Sequence, residues 1–522
     1  VFYLTGVDQH GQKVQQSADK AGIAPQQFVD ELTAKFIALW EKLDVRYDRW
    51  AATTDPIHQT CVQGILQRLY DEGQIYQDKQ DGYYSIRQEQ FLTDKERGAD
   101  GEFGPEWGQV EHREEENYYF KLEQHKQWLL DYLKSPAHQD CVTPDFRQTE
   151  LINAVEKLSG DLCISRPKKR LSWGIELPFD PDYVTYVWFD ALTNYISFIG
   201  YDPAISDFSS QDVSFLEKWP ALHIIGKDIL IPAHGIYWPI MLKALGFPDE
   251  QMPRFLVHGW WNISGAKMSK SLGNVIDPDQ LADKYGPEAL RYYLIGEIPA
   301  GNDADFAEDR LVGNYNAYLA NKLGNLLNRL LNMSGRYRSG RIKWANRTWQ
   351  PPLNDEEASK RIEDAIREKG LIPLTLSIPN LQYEAEKTIR SAIILLDAFR
   401  WAVALNMLNN FTVFCNQMIE IIAPWTHTKN PEAAEMVDDI LYGLAESLRI
   451  IAILISPVLP KAAHGIFDQL NWKMETELAG KEERFALTDA EWGKLPDGHV
   501  VGKPTPLFPR IETAEAGAKT AG

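Results

Sequence analysis

The stretch VFYLTGVDQHGQKVQQSADKAG (1–22) has the pattern of a short strand, a turn and a helix. Residues 1–5 are apolar enough for a buried strand, Gly6 is expected to end it, and a helix is predicted over 12–21. Such a unit belongs in an open parallel sheet, where ligands bind beyond the carboxyl ends of the strands. Asp8 falls at such an end, where its carboxylate could cap the helix or pair with a cationic group.

The composition is that of a globular protein with several domains. The chain has 522 residues, 44% hydrophobic and 25% charged, so roughly two to four domains are expected. Its four cysteines form no C-x-x-C pair, which argues against a disulfide framework and favours a reducing compartment, so we expect a cytoplasmic protein. No apolar run reaches the ~20 residues of a membrane-spanning helix, so no membrane partner is expected.

The charge is unevenly distributed. The net charge of −20 argues against non-specific binding of polyanions by the whole molecule. From Arg310 to Asn354, however, there are eight Lys or Arg residues and no carboxylate. This segment is either a solvated helix face or a selective site for a polyanion.

Hydrophobic periodicity divides the chain into an α/β part and an all-α part. Two stretches, 186–200 and 222–231, are each expected to form an apolar strand followed by a turn and a helix. Beyond about residue 310 the pattern is almost wholly helical, with long apolar segments at 384–423 and 432–456. The predicted regions are the first part of a sheet domain (1–72), an insertion (73–130), the second part of the sheet domain (131–255), a loop and stem region (256–315), a helical bundle (316–511) and a disordered tail (512–522).

The polar loop SGAKMSKSLGN (264–274) carries Lys267 and Lys270 between two glycines. Two ammonium groups on such a loop can close over a triphosphate and neutralise the charge that develops there. Lysine spacing alone predicts only an anion-binding loop. The pentapeptide KMSKS resembles the signature of class I aminoacyl-tRNA synthetases, which activate an amino acid with ATP.

The resemblance implies a Rossmann-type catalytic domain with an inserted connective domain, followed by an all-α anticodon-binding bundle. It also implies ATP as a substrate, Mg²⁺ on the phosphates, Lys270 as the main ATP contact and Lys267 as its support. The GKD segment resembles the turn that contacts the ribose, with Gly226 and Asp228, and Val257 corresponds to a residue beside the adenine. Without the resemblance, Asp228 is equally a helix cap and Val257 a core residue.

The segment YVWFDALTNYI (186–196) resembles the methionyl-tRNA synthetase family. The resemblance implies that the methionine side chain is held by Trp188, Ala191, Tyr195 and His234. A thioether gains from aromatic edges about 5 Å away, and a small alanine leaves room for an unbranched chain. From the residues alone, the two aromatic side chains are more simply explained as core residues.

The opening segment resembles the same family, whose aspartate at this position, here Asp8, holds the methionine ammonium group. The family also has an H-x-G-H motif before this segment, and no such motif occurs in these 522 residues. We therefore expect the sheet domain to be incomplete at its N-terminus and the chain 1–522 alone to be inactive in adenylation. The insertion has no cysteine and no well-spaced histidine, so it is expected to be free of zinc.

The helix predicted around LANKLGNLLNRLLNMSGRYR (319–338) has an apolar stripe of leucines and an opposite polar stripe. Asn and Arg on one helix face can read base edges, although a solvated face has the same pattern. The resemblance implies that Asn325 and Arg329 read the anticodon and that Trp425, in IIAPWTHT, stacks on a base. Alternatively, this tryptophan fills the helical bundle.

Together these expectations describe a monomeric methionine–tRNA ligase acting on ATP, L-methionine and tRNA(Met). Two alternatives remain open at this stage. One is a class I synthetase for another apolar amino acid, although no large editing insertion is evident. The other is a non-catalytic tRNA-binding relative.

Overall fold

The computed structural model describes residues 1–85, 90–92, 97–98, 100–268, 275–297, 301–344, 378–429, 434–473 and 485–512. Lys270 and almost all of the predicted tail therefore lie outside the described residues. The chain divides into two compact units, Val1–Gly259 and Trp260–Gly522.

The first unit has an α/β architecture. Its strands are β1 (Leu4–Val7), β2 (Arg49–Ala52), β3 (Ile75–Ser85), β4 (Gln90–Leu92), β5 (Val110–Phe120), β6 (Val142–Thr143), β7 (Leu162–Cys163), β8 (Ser165–Pro167), β9 (Glu176–Leu177), β10 (Asp180–Thr185), β11 (Leu222–Gly226) and β12 (Arg254–His258). Its helices are α1 (Gln12–Ala21), α2 (Pro25–Lys42), α3 (Pro56–Asp71), α4 (Lys126–Lys134), α5 (Asp145–Glu156), α6 (Val187–Ser197), α7 (Val213–Leu216), α8 (Lys227–Ile229) and α9 (Trp238–Ala244), with a π-helical segment, Leu230–Tyr237, between the last two.

Two of the sheets in this unit are parallel, as the strand–turn–helix pattern predicts. Strand β1 pairs with β2, and a second sheet has the order β11–β12–β6. The other two sheets are antiparallel, with the orders β8–β10–β9 and β4–β3–β5–β7. In a parallel sheet the turns that follow the strands lie at one edge, so the segments after β1 and after β11 are the places to look for a site.

The prediction that Gly6 ends the first strand is wrong. Gly6 lies within β1 and is paired with Ala51 of β2. A Cβ atom at Gly6 would lie 1.9 Å from the carbonyl oxygen of Ala51, so the glycine serves the close approach of the two strands. Helix α1 has the predicted bounds, Gln12–Ala21.

The prediction of a strand within 186–200 is also wrong. This stretch contains α6, whereas the strand before it is β10, which is antiparallel to β8. A continuous apolar run suits a buried helix as well as a buried strand, and here Phe189 and Ile196 are fully buried. The stretch 222–231 matches its prediction, since β11 is followed directly by helix.

The antiparallel ribbon of β3 and β5 packs against the rest of the first unit through aromatic side chains. Tyr118 of β5 lies edge-on to Phe179 and Tyr183, with ring centroids 5.1 Å and 5.4 Å away. Phe179 in turn stacks on Tyr70 of α3 at 4.1 Å. The hydroxyl of Tyr118 donates to Asp180 at 2.9 Å, so the ring has both apolar and polar partners.

The second unit combines small sheets with a helical bundle. Its strands are β13 (Trp261–Ile263), β14 (Ala266–Lys267), β15 (Ala304–Asp305), β16 (Arg341–Ile342) and β17 (His499–Val500). Its helices are α10 (Pro278–Tyr285), α11 (Pro287–Gly296), α12 (Glu308–Asn314), α13 (Asn325–Arg338), α14 (Ile378–Asp397), α15 (Trp401–Ile422), α16 (Ala434–Ile455) and α17 (Pro460–Leu470), and a π-helical segment, Tyr315–Gly324, joins α12 to α13.

The bundle is built around α16, whose residues from 439 to 455 are all buried. Helices α14, α15 and α17 pack against it. The apolar segment predicted at 384–423 is two helices, because a turn at Phe399 (φ 56°) separates α14 from α15. In the described part of the chain, no helix has the length and apolar character needed to cross a membrane.

Candidate functional site

Helix α6 presents three of the predicted side-chain ligands on one face. Trp188, Ala191 and Tyr195 are spaced by three and four residues, which aligns them along a single side of the helix. Ala191 is buried, whereas the two aromatic side chains are half-buried. The face is therefore a wall with two aromatic groups and a small residue between them.

His234 adds a second side to this wall. Its Nδ1 lies 2.9 Å from the carbonyl oxygen of Ile229, which requires a proton on that nitrogen. Its Nε2 is then the acceptor for the hydroxyl of Tyr195, at 2.7 Å. The Trp188 ring lies edge-on to the imidazole, with centroids 6.0 Å apart. Burial lowers the pKa of His234 to about 4, so the imidazole is neutral at pH 7.

Sequence reasoning missed a second histidine beneath this pocket. His223 lies 4.1 Å from the Tyr195 ring, and its Nε2 accepts a 3.2 Å hydrogen bond from the indole of Trp238. Burial, together with His234, lowers the pKa of His223 well below its ordinary value. Hydrophobic alternation would not have found it, since Leu222 and Ile224 are exposed while the polar His223 between them is buried, the reverse of the usual pattern.

Asp8 lies after β1, as predicted, but it does not cap α1. The residue at the N-cap position is Gly11, and no side chain bonds to the first turn. The Asp8 side chain is exposed, yet desolvation by surrounding protein, followed by the charge of Asp190, raises its pKa to about 6. Nearby protein atoms and the negative charge of Asp190 thus disfavour ionisation of the Asp8 carboxylate, although solvent reaches it. Its charge adds to burial in raising the pKa of Tyr195, which places both groups in one neighbourhood.

A buried carboxylate next to this site was also missed. Asp190 of α6 accepts hydrogen bonds from His10 Nδ1 and His58 Nε2, both at 2.7 Å. Burial alone would raise its pKa, but these hydrogen bonds lower it below the ordinary value. A charged residue inside the apolar run WFDAL is the sequence signal that could have found it, because such residues are rarely buried without a partner.

The predicted nucleotide-binding turn follows β11. Gly226 is the N-cap of the helix and Asp228 lies in its first turn, so Asp228 is not the capping residue. A Cβ atom at Gly226 would lie 2.8 Å from Asp228 Oδ1, so the glycine leaves room for this exposed carboxylate. The side chain of Val257 is fully buried in β12 and belongs to the core.

The start of the lysine loop is a β-hairpin in the second unit. Lys267 is the last residue of β14 and pairs with Asn262 of β13. The turn between them uses Ser264 (φ 51°) and Gly265 (φ 77°), and the Gly265 amide donates to Asp305 at 2.8 Å. Helix α10 follows the loop, as the sequence predicts.

The helical segment 315–338 has the two predicted faces. Its apolar face is buried and consists of Leu319, Leu323, Leu326 and Leu330. Its polar face is exposed or half-buried and consists of Lys322, Asn325, Arg329, Asn332 and Arg336. The predicted anticodon residues Asn325 and Arg329 thus lie one turn apart on the accessible side.

In the described part of the basic segment, residues 310–344, three of the cations are paired with carboxylates. Arg310 pairs with Glu297 at 2.7 Å and Arg329 with Glu420 at 2.8 Å. A third cation, Arg338, pairs with Asp438. These carboxylates come from other elements, so a charge count along the segment overstates the positive potential of the face.

Trp425 follows α15 in a short turn that begins at Ala423 (φ 47°). Its side chain is 44% exposed, so the alternative that it fills the bundle is wrong. The indole is accessible for stacking. Across the described ranges, no group of three or more His, Cys, Asp or Glu residues is arranged to hold a metal ion.

Comparison with known proteins gives two family matches. The model "tRNA synthetases class I (M)" matches residues 1–101 and 107–331, and "Anticodon binding domain of methionyl tRNA ligase" matches 379–520. The methionine–tRNA ligase of Lactococcus lactis is 35% identical over an alignment of 525 positions, which covers 98% of this chain and 72% of that protein. That of Clostridium perfringens is 38% identical over 518 residues, covering 99% and 73%. The crystal structure of Mycobacterium tuberculosis methionyl-tRNA synthetase bound by methionyl-adenylate superposes with a TM-score of 0.82 at 31% identity, covering 98% of this chain and 92% of that one.

Proposed function

The chain belongs to the methionyl-tRNA synthetases, and on that premise we propose how its residues serve the two steps of the reaction. It has the class I fold, with a Rossmann-like catalytic domain and a helical anticodon-binding domain. In the first step, methionine and ATP form methionyl-adenylate and pyrophosphate. In the second step, the methionyl group passes to the 3′ end of the tRNA.

Trp188, Ala191, Tyr195 and His234 hold the methionine side chain. The observation that carries this proposal is the 2.7 Å hydrogen bond from Tyr195 to His234, which joins the two sides of the pocket without a formal charge. An uncharged aromatic pocket favours a polarizable thioether, while a charged side chain would lose its hydration there without gaining a partner.

Asp8 binds the ammonium group of methionine. Its raised pKa means that desolvation and the charge of Asp190 outweigh the attraction of nearby groups, so the free protein compensates the negative charge of this carboxylate only in part. A substrate ammonium supplies the missing opposite charge. Selection then has two parts, since Asp8 recognises the amino acid and the aromatic pocket recognises its side chain.

Lys267 and Lys270 contact the ATP phosphates, where Mg²⁺ would supply further positive charge, and Asp228 contacts the ribose beside Gly226. Because the Val257 side chain is buried, its contact with adenine is made by the backbone. Rate acceleration comes from positioning and from neutralising charge at the α-phosphate, without a covalent intermediate on the enzyme.

Asn325, Arg329 and Trp425 recognise the anticodon of tRNA(Met). The exposure of the indole and the shared face of the two polar residues support this assignment. Asn and Arg can bond to base edges, and an exposed indole stacks on an unpaired base.

On the same premise, the protein is a cytoplasmic monomer. Its regions have separate functions. The inserted ribbon is free of zinc and relies on the aromatic packing around Tyr118. Metal analysis of the purified protein should find no stoichiometric zinc, and zinc that resists dialysis would contradict this part of the proposal.

The proposed regions are the catalytic domain (1–72 and 131–255), the connective insertion (73–130), the lysine loop and stem-contact region (256–315), the anticodon-binding domain (316–511) and a tail (512–522).

Calorimetric titration with amino acids tests the proposed pocket. L-Methionine should bind saturably, whereas leucine, isoleucine and valine should bind at least about tenfold more weakly, since a misfitting side chain costs ~1–3 kcal/mol. Asp8→Asn should lose most of the methionine affinity. Asp182→Asn, which changes an exposed carboxylate in the same unit, is the matched control. Equal affinity for leucine would favour a synthetase for another apolar amino acid.

A further inference from the structure

Asp190 connects three separate elements of the first unit. It lies in α6 and is 1% exposed, and each of its carboxylate oxygens accepts a hydrogen bond from a different imidazole. His10 belongs to the turn between β1 and α1, and His58 belongs to α3. Both imidazoles are buried as well, so solvent does not substitute for either bond.

The His10 side of this cluster holds the turn that carries Asp8. His10 is two residues beyond Asp8. The backbone of Gln9, which lies between them, is held by two hydrogen bonds. The Gln9 amide donates to Thr53 Oγ1 at 2.9 Å, and the Gln9 carbonyl accepts a 2.6 Å hydrogen bond from the indole of Trp173. These two bonds hold Gln9 to Thr53 and Trp173, whereas the bond from His10 to Asp190 ties the same turn to α6.

The Asp190 side of the cluster is part of the methionine pocket's own helix. Trp188 precedes Asp190 by two residues and Ala191 follows it directly. The bond from His10 to Asp190 thus joins the segment that binds the substrate ammonium to the helix that binds the substrate side chain. The bond from His58 joins α6 to α3 instead, and His58 also lies 2.8 Å from Ser197 Oγ of α6.

We propose that His10 and Asp190 are positioning residues, whose hydrogen bond keeps the ammonium site at Asp8 in register with the side-chain pocket on α6. This inference rests on the proposed function, since it takes Asp8 as the ammonium site. Neither residue touches the substrate. Binding of both ends of one small ligand requires the two parts of the site to be correctly spaced. A displacement of reacting groups by ~1 Å can lower a reaction rate on the order of 10²-fold.

His58 provides a matched control for His10. Both imidazoles are buried and bond to the same carboxylate at the same 2.7 Å distance, but only His10 belongs to the segment that carries Asp8. His10→Gln should raise the Kd for L-methionine about tenfold or more, because the turn loses its anchor on α6. His58→Gln should lower the midpoint of thermal unfolding while changing the Kd less than about twofold, since its bonds join α6 to α3 and leave the turn that carries Asp8 bonded to α6 through His10.

A double-variant cycle completes the experiment. Asp190→Asn should weaken methionine binding, and His10→Gln combined with Asp190→Asn should bind no more weakly than Asp190→Asn alone, because Asp190→Asn already removes the carboxylate that accepts from His10 as well as from His58. Every variant is measured by calorimetric titration, after thermal unfolding has established that it is folded. His10→Asn replaces His10→Gln if the glutamine variant does not fold.

The outcomes separate this inference from the proposed function. Equal losses of methionine affinity in the His10 and His58 variants would overturn the inference, because they would indicate general damage to the fold. Unchanged affinity in His10→Gln, while Asp8→Asn abolishes binding, would overturn the inference alone. Unchanged affinity in Asp8→Asn would remove the ammonium site on which both depend.

Discussion

The hydroxyl of Tyr195 donates a hydrogen bond to Nε2 of His234 at 2.7 Å, which fixes α6 against the helical segment after β11. The geometry determines the tautomer, because the Nδ1 proton of His234 is used at the carbonyl of Ile229. Both partners are neutral at pH 7, since burial lowers the pKa of His234 to about 4 and raises that of Tyr195. The proposed methionine pocket would thus select by shape and polarizability.

Tyr195→Phe should weaken methionine binding and destabilise the protein. The variant leaves His234 Nε2 buried without a donor, which costs ~1–3 kcal/mol. We expect the free energy of unfolding to fall by about this amount and the Kd for methionine to rise roughly tenfold. Urea unfolding and calorimetric titration measure the two effects.

Tyr237→Phe is the control for this substitution. Tyr237 lies in the same helical segment as His234 and is half-buried. In the described part of the chain its hydroxyl has no hydrogen-bond partner. This variant should match the parent protein in both measurements. If it weakened methionine binding as much as Tyr195→Phe does, the Tyr195–His234 bond would not be the cause.

Asp8→Asn should stabilise the protein at pH 8 and have little effect at pH 4.5. The pKa of Asp8 is raised from 3.8 to about 6 in the folded protein, so the folded state binds more protons than the unfolded state between these values. The contribution of Asp8 to the free energy of unfolding therefore falls as the pH rises through this window and stays low above it. Because Asp8 is open to solvent, we expect a gain of only ~1 kcal/mol at pH 8.

Urea unfolding at the two pH values measures this effect, with Asp182→Asn as the surface control. An equal gain at pH 4.5 and pH 8 would show that the charge of Asp8 is not responsible. Combined with the loss of methionine affinity, a gain at pH 8 would indicate a carboxylate kept for binding at a cost in stability.

The sequence was sufficient for the α/β-to-α division and for the residues on one helix face, because both depend on local periodicity. The leucine stripe and the opposite polar stripe of 319–338 are an example. The sequence was insufficient to predict a residue's role where the contact that decides this role is distant along the chain. Gly6 was expected to end its strand because its contact, Ala51, is supplied by another strand and cannot be read from the local sequence.

The same limit explains the omissions in the site. Asp190 has its partners at His10 and His58, more than 130 residues away in the chain, so no local pattern connects them. Arg329 was counted as a free cation because Glu420 lies on α15. Motif resemblance supplied the roles of Lys267 and Asp8, since spacing alone could not distinguish a substrate contact from a cap or a surface loop.

Trp425→Ala should weaken tRNA binding without weakening methionine binding. An exposed indole that stacks on a base contributes ~1–3 kcal/mol, so the Kd for tRNA(Met) should rise by roughly 5- to 150-fold. Trp425→Phe keeps an aromatic face and should lose less. Filter binding with tRNA(Met) measures the affinity, and thermal unfolding should show a small change because 44% of the side chain is already exposed. A large drop in unfolding temperature would indicate that the ring supports the bundle instead.

Glu420→Gln should strengthen tRNA binding, in contrast to the usual result of changing a residue in a binding face. Arg329 is held by Glu420 at 2.8 Å in the free protein, so this ion pair must open before the guanidinium can bond to a base. A partly exposed pair of this kind is worth about 0.2–1 kcal/mol, which corresponds to a gain of at most about fivefold in affinity. Glu384→Gln breaks a comparable pair with Lys387 on α14 and should leave the affinity unchanged. Filter binding with tRNA(Met) at fixed ionic strength distinguishes the two variants. If Glu420→Gln weakened binding instead, the carboxylate would be orienting Arg329 toward the base, and the pair would be part of the recognition site.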